Sequence, residues 1–142
     1  MKSKIQSDRI PCECMDLVEI AHRDRIYPVM YCRMVIRGHL DAERLKEAVK
    51  MSAQVIPEIL YTVDFKRGRF VDRHLTAEQV ICGEHDAFSV QAEWDLSVDT
   101  QLKISILPEE DAEQLVIGMS HVLADGKGFL QYLYLLSAIY NG

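Results

Sequence analysis

The passage that leaves this 142-residue chain the fewest options runs from Leu115 to Leu136. Leu115-Val116-Ile117-Gly118-Met119 is a continuous apolar run of strand length, and Phe129-Leu130-Gln131-Tyr132-Leu133-Tyr134-Leu135-Leu136 reads as a largely buried helix. Between them stands Ser120-His121-Val122-Leu123-Ala124-Asp125-Gly126-Lys127-Gly128. A buried strand that turns through Asp-Gly into an apolar helix needs a sheet with a helix laid over it. Asp125 can cap the helix by accepting from its first free N–H groups. Gly126 and Gly128 permit a positive φ or the close approach of a second surface. The turn sets His121 where the core opens onto a loop, and imidazole, with an unperturbed pKa of about 6.5, exchanges protons near neutrality.

The rest of the chain agrees with this layout. Leu102 to Leu107 alternates and stops at Pro108, an acidic turn follows, and Gln114 to His121 runs back, so the two form an antiparallel pair. Val29 to Arg37 alternates cleanly, with Met30, Cys32, Met34 and Ile36 on one face and Val29, Tyr31, Arg33, Val35 and Arg37 on the other. Asp41 is a helix N-cap, Leu45, Ala48, Val49, Ser52 and Ile56 recur at helical spacing, and Pro57 ends the helix. Ile59 to Phe65 and Arg69 to Asp72 read as strands of a hairpin turning at Lys66-Arg67-Gly68, and Thr76-Ala77-Glu78-Gln79 as a capped helical turn. Further strands are expected over Met15 to Ala21 and Phe88 to Trp94, with a loop over His22 to Pro28. Residues 1–11 read as a frayed lead-in. The fold class is therefore α/β, a two-layer sandwich with a mixed, largely antiparallel sheet and helices on one side, in a single domain over residues 1–142.

Composition removes several classes of function. A formal net charge of -6 without a basic stripe argues against a nucleic-acid partner. The most apolar segment, Phe129 to Tyr140, is too short to span a bilayer, which needs about 20 residues. The polar N-terminus has no apolar signal core, so a cytoplasmic location is expected. Without secretion, Cys12, Cys14, Cys32 and Cys82 are expected as free thiols. Cys12-Glu13-Cys14 and Cys82-Gly83-Glu84-His85 lack zinc-knuckle spacing, so no metal is expected. Glu109, Glu110, Asp111 and Glu113 read as a solvated turn. His22, His39, His74 and His85 read as surface histidines.

The spacing His121-x-x-x-Asp125-Gly126 resembles the active-site motif of the chloramphenicol acetyltransferase-like superfamily. That group includes the condensation domains of nonribosomal peptide synthetases and the alcohol acetyltransferases. The resemblance extends upstream, to the strand, Gly38-His39-Leu40-Asp41 and helix of Val29 to Pro57, and to Trp94-Asp95-Leu96-Ser97 before the strand at Leu102. It covers most of residues 15–140. Where many condensation domains carry His-His, this chain has Ser120-His121. Where they carry an arginine that pairs with the motif aspartate, Ile56-Pro57-Glu58-Ile59-Leu60-Tyr61 has none, and Arg33 is the candidate substitute.

The resemblance implies an N-terminal half of such a fold. Its site would be completed by a C-terminal half or a second subunit. It implies thioester-dependent acyl transfer to a hydroxyl or amine, with His121 as general base, Asp125 holding the loop and Gly126 leaving room for substrate. Ser120 would orient the imidazole or donate to the tetrahedral intermediate. No cofactor is resident; acyl-CoA or a phosphopantetheinyl thioester is the co-substrate. The alternatives are a non-catalytic binding or assembly module on the same fold, and a homo-oligomer with sites between subunits.

Overall fold

The computed structural model describes residues 9–11, 29–81 and 94–142. The expected strand at Met15–Ala21, the loop at His22–Pro28 and all but the last residue of the Phe88–Trp94 strand lie outside them, as do Cys12, Cys14, Cys82, His22 and His85. The described elements follow in the order β1 (Arg9–Pro11), β2 (Val29–Arg37), α1 (Ala42–Val55), a 3₁₀ turn (Pro57–Leu60), β3 (Thr62–Asp64), β4 (Arg69–Val71), α2 (Ala77–Val80), β5 (Leu102–Glu109), β6 (Ala112–Ser120) and α3 (Gly126–Asn141).

The strands form two three-stranded sheets, ordered β2-β6-β5 and β1-β4-β3, and every strand pair in them is antiparallel. The one parallel pairing among the described residues is an isolated bridge between Ile81 and Ile104. Register runs Val29↔Ser120 to Arg37↔Ala112 on one side of β6 and Leu102↔Met119 to Glu109↔Ala112 on the other.

Alternation along these strands divides the core in two. On one face Leu102, Ile104, Leu115, Ile117 and Met119 pack under Leu45, Ala48 and Val49 of α1 and Phe129, Tyr132 and Leu136 of α3. On the other, Val29 and Tyr31 join Trp94, Leu96, Val122 and the hairpin residues Tyr61, Val63 and Phe70. The three helices among the described residues therefore lie on one side of the larger sheet, and the smaller sheet belongs to the other.

The helix signals act as the sequence indicates. Asp41 caps α1 by accepting from Arg44 N–H, and Thr76 with Gln79 forms a capping box on α2. Four boundaries differ. Residues 9–11 are no frayed lead-in, because their backbone pairs with β4. Ile59 and Leu60 belong to the 3₁₀ turn that Pro57 opens, so β3 starts only at Thr62. β5 runs past Pro108 to Glu109; as an edge strand it accommodates a residue that cannot donate a ladder bond. β6 ends at Ser120, which leaves His121 in the turn beyond it. Within this chain α3 keeps part of its surface open: Tyr134 is 69% and Leu130 50% exposed.

Candidate functional site

The turn from β6 to α3 is held by its own backbone. Ser120 carbonyl accepts from the N–H groups of Leu123 and Ala124, and Ser120 N–H donates to Gln101 carbonyl at 2.8 Å. Ser120 Oγ, fully buried, accepts from Val122 N–H at 3.1 Å. Its oxygen thus shapes the loop from inside the core. Val122 then anchors the loop in the second core, and Leu123 packs against both.

At the far end of the turn Asp125 Oδ1 accepts from Gly128 N–H at 2.7 Å, and its carbonyl accepts from Phe129 N–H at 2.9 Å. This is the expected N-cap. Of the two glycines, it is Gly128 that has close neighbours. A Cβ there would stand 3.2 Å from Asp125 Oδ1 and 3.3 Å from Ala124 Cβ, whereas at Gly126 it would meet nothing within 4 Å. Neither has a positive φ. The space beside Gly126 is therefore open.

His121 lies between these two fixed ends, half-buried, with Nδ1 buried. The other described histidines are surface groups: the His39 side chain is 85% exposed, 3.6 Å from Glu113, and that of His74 83% exposed, 3.8 Å from Asp72. No cluster of His, Cys, Asp or Glu suited to a metal occurs among the described residues.

Arg33 is not brought to Asp125. It pairs across the sheet with Val116, four positions from the Val29↔Ser120 end, or about 13 Å at the usual strand rise. It also shares the face of Val29 and Tyr31, while the helix that Asp125 caps packs on the opposite face. Among the described residues Asp125 makes no ion pair with Arg33, and Arg33 is exposed.

Two residues behind the loop were not singled out by the sequence reading. Gln101 is fully buried, and its Nε2 donates to the carbonyls of Tyr61 and Leu96 at 3.0 and 3.2 Å. Its N–H donates to Ile59 carbonyl at 2.9 Å while its carbonyl holds Ser120. One residue thereby ties the 3₁₀ turn, the Trp94 loop and the histidine loop together. Gly118, opposite Tyr31, is the other; a Cβ there would fall 2.8 Å from Tyr31 Cε1 and 2.9 Å from Trp94 Cζ3. Neither position carries a local sequence signal.

No protein-family model and no curated protein sequence matches the chain. Solved structures do. The complex of the X-domain and OxyB from teicoplanin biosynthesis matches with a TM-score of 0.71 and 18% identity, over 98% of this chain and 34% of that one. Polyketide synthase associated protein 5 from Mycobacterium tuberculosis matches at 0.66 and 20% identity, over 92% and 32%. The condensation domain from the monacolin K polyketide synthase MokA matches at 0.63 and 13% identity, over 94% and 34%. The chain has the fold of part of a condensation-type domain. It spans about a third of the length of these three structures. No described helix is long and apolar enough to cross a membrane.

Proposed function

We propose that this chain is the histidine-bearing part of a thioester-dependent acyltransferase of the condensation type. The observation that carries the reading is the position of His121: half-buried, on a turn pinned by Ser120 on one side and by the Asp125 cap on the other. A base held this way is pre-positioned for proton transfer. His121 would take the proton from an acceptor hydroxyl or amine as its oxygen or nitrogen attacks the thioester carbonyl. The tetrahedral oxyanion then collapses, the C–S bond breaks, and the departing sulfur takes the proton back. Acyl-CoA or a phosphopantetheinyl thioester supplies the acyl group. The remainder of the site, including groups that hold the oxyanion, would come from a further part of the protein or from a second subunit.

The test is turnover of acyl-CoA and of acyl-pantetheine thioesters by the full-length protein, read as thiol release with a hydroxyl or amine acceptor. His121→Ala should lower the rate by about 10²–10⁴-fold. Turnover unchanged by the substitution would remove His121 from the chemistry.

A second reading, a non-catalytic docking module on the same fold, is favoured by one observation. The Asp125 carboxylate is occupied by a backbone N–H, with no ion pair to a guanidinium among the described residues. The X-domain structure, solved as a complex with OxyB, shows a similar fold engaged with a protein. On this reading no thioester is turned over, and a partner binds His121→Ala as tightly as the parent protein.

A further inference from the structure

Directly behind the histidine turn, on the helix-covered face of the sheet, is a cavity of about 300 Å³, partly open to solvent. Its deepest residues are Met119 of β6 and Tyr132 of α3, each 2% exposed. Half-buried Ile56 at the end of α1, Leu123 and Ala124 of the histidine turn, and Leu135 of α3 complete its apolar lining. Among the described residues no charged side chain lines it, and the exposed Gln131 adds a polar group to its lining. The buried hydroxyl of Tyr132 is already bonded to Ser52 Oγ at 2.8 Å, so it makes no unmet demand on a guest.

We propose that this cavity holds the apolar tail of the acyl group, so that the substrates are thioesters of medium-length unbranched acids. Three observations carry this. The cavity shares Leu123, Ala124 and Gly128 with the turn that bears His121, so a chain lying in it starts within a few residues of the base. Its size falls at the lower end of the range for small-molecule sites, and its lining is of the kind that dominates them. An enclosed apolar cavity of about 150 Å³ has room for benzene, so about twice that volume has room for a chain on the order of ten carbons. A guest that fills such space gains affinity by burying its methylenes.

This inference rests on the acyl-transfer reading, but it is tested separately from it. The probes are S-alkyl-pantetheine thioethers of increasing chain length, which carry the arm shared by CoA and carrier proteins and cannot react. Their affinities for the full-length protein are measured by titration calorimetry. Affinity should rise about threefold to fourfold per added methylene and level off near ten carbons. Leu135→Trp, which narrows the cavity, should move the plateau to shorter chains, and Leu135→Ala to longer ones. An affinity independent of chain length in the parent protein overturns the cavity assignment and leaves the role of His121 untouched. A plateau that ignores both substitutions at Leu135 overturns it as well. A chain-length dependence that shifts with Leu135, in a protein that turns over no thioester, supports the cavity while removing the acyl-transfer reading.

Discussion

Gly118 lets an aromatic pair rest on the central strand. Tyr31 and Trp94 meet edge to face with centroids 6.3 Å apart, and Lys103 Nζ stands 5.9 Å from the Trp94 ring. A methyl group at Gly118 would push into both rings at less than 3 Å. Gly118→Ala should therefore destabilise the protein by about 1–3 kcal/mol, the usual cost of overpacking, as read from denaturant midpoints; an unchanged midpoint would show that the rings move aside freely. Asp125 makes the opposite kind of prediction. Its visible task is to accept one N–H, which an asparagine oxygen does equally well. Asp125→Asn should stay within a few tenths of a kcal/mol of the parent protein, and Asp125→Ala should lose about 1 kcal/mol. If Asn proves as damaging as Ala, the charge itself is needed, and a cation from elsewhere in the protein is implied.

Between elements, the seam of α1 and α3 has a titratable reporter. Ser52 Oγ donates to Val49 carbonyl, so the 2.8 Å contact with Tyr132 is made by the tyrosine hydroxyl donating to the serine. Burial, only partly offset by the Ser52 bond, pushes this hydroxyl up to about 12 from its usual 10.0. The unfolded chain thus releases this proton at lower pH than the folded one. The corresponding stability is complete below pH 10 and is lost as pH rises from 10 towards 12, by about 2–3 kcal/mol. Tyr132→Phe should flatten that alkaline slope relative to the parent protein, at a cost near neutrality of about 1 kcal/mol for the lost hydrogen bond. A parallel slope in both proteins would assign the loss to other groups. Elements of this kind were legible in the sequence wherever a local pattern decides them. The alternation of Val29 to Arg37, the Asp41 and Asp125 caps, the Thr76 box and the hairpin turn at Lys66-Arg67-Gly68 are all short-range. What pairs over distance was not legible. The joining of Arg9–Pro11 to β4, the division into two sheets and the bridging by Gln101 depend on segments many tens of residues apart. Arg33 shows the boundary: alternation gave its face correctly, but its distance along β2 from the Ser120 end and the packing of α3 on the other face together separate it from Asp125.

Across the whole molecule, β6 is common property. Leu115, Ile117 and Met119 belong to the helix-covered core, while Gly118 supports the Tyr31–Trp94 pair and the loop beyond Ser120 sends Val122 into the second core. Neither core can be dismantled without exposing one face of the same strand, so the two should melt together. Trp94 is the only tryptophan in the sequence and lies 2% exposed in the second core, whereas α1 and α3, the two long helices among the described residues, cover the first. Trp94 fluorescence therefore follows one core, and the helical far-ultraviolet circular dichroism follows the other. In a protein in which this unit is intact, denaturant curves from the two probes should superimpose, as for a cooperative single unit. Gly118→Ala, which strikes only the second core directly, should shift both curves by the same amount. If the fluorescence transition came first and the dichroism lagged, the cores would be independent. The histidine turn, which draws Val122 from one core and Leu123 from both, would then lose its fixed geometry well before the helices unfold. Coincidence of the curves would instead mean that the position of His121 is as stable as the fold itself.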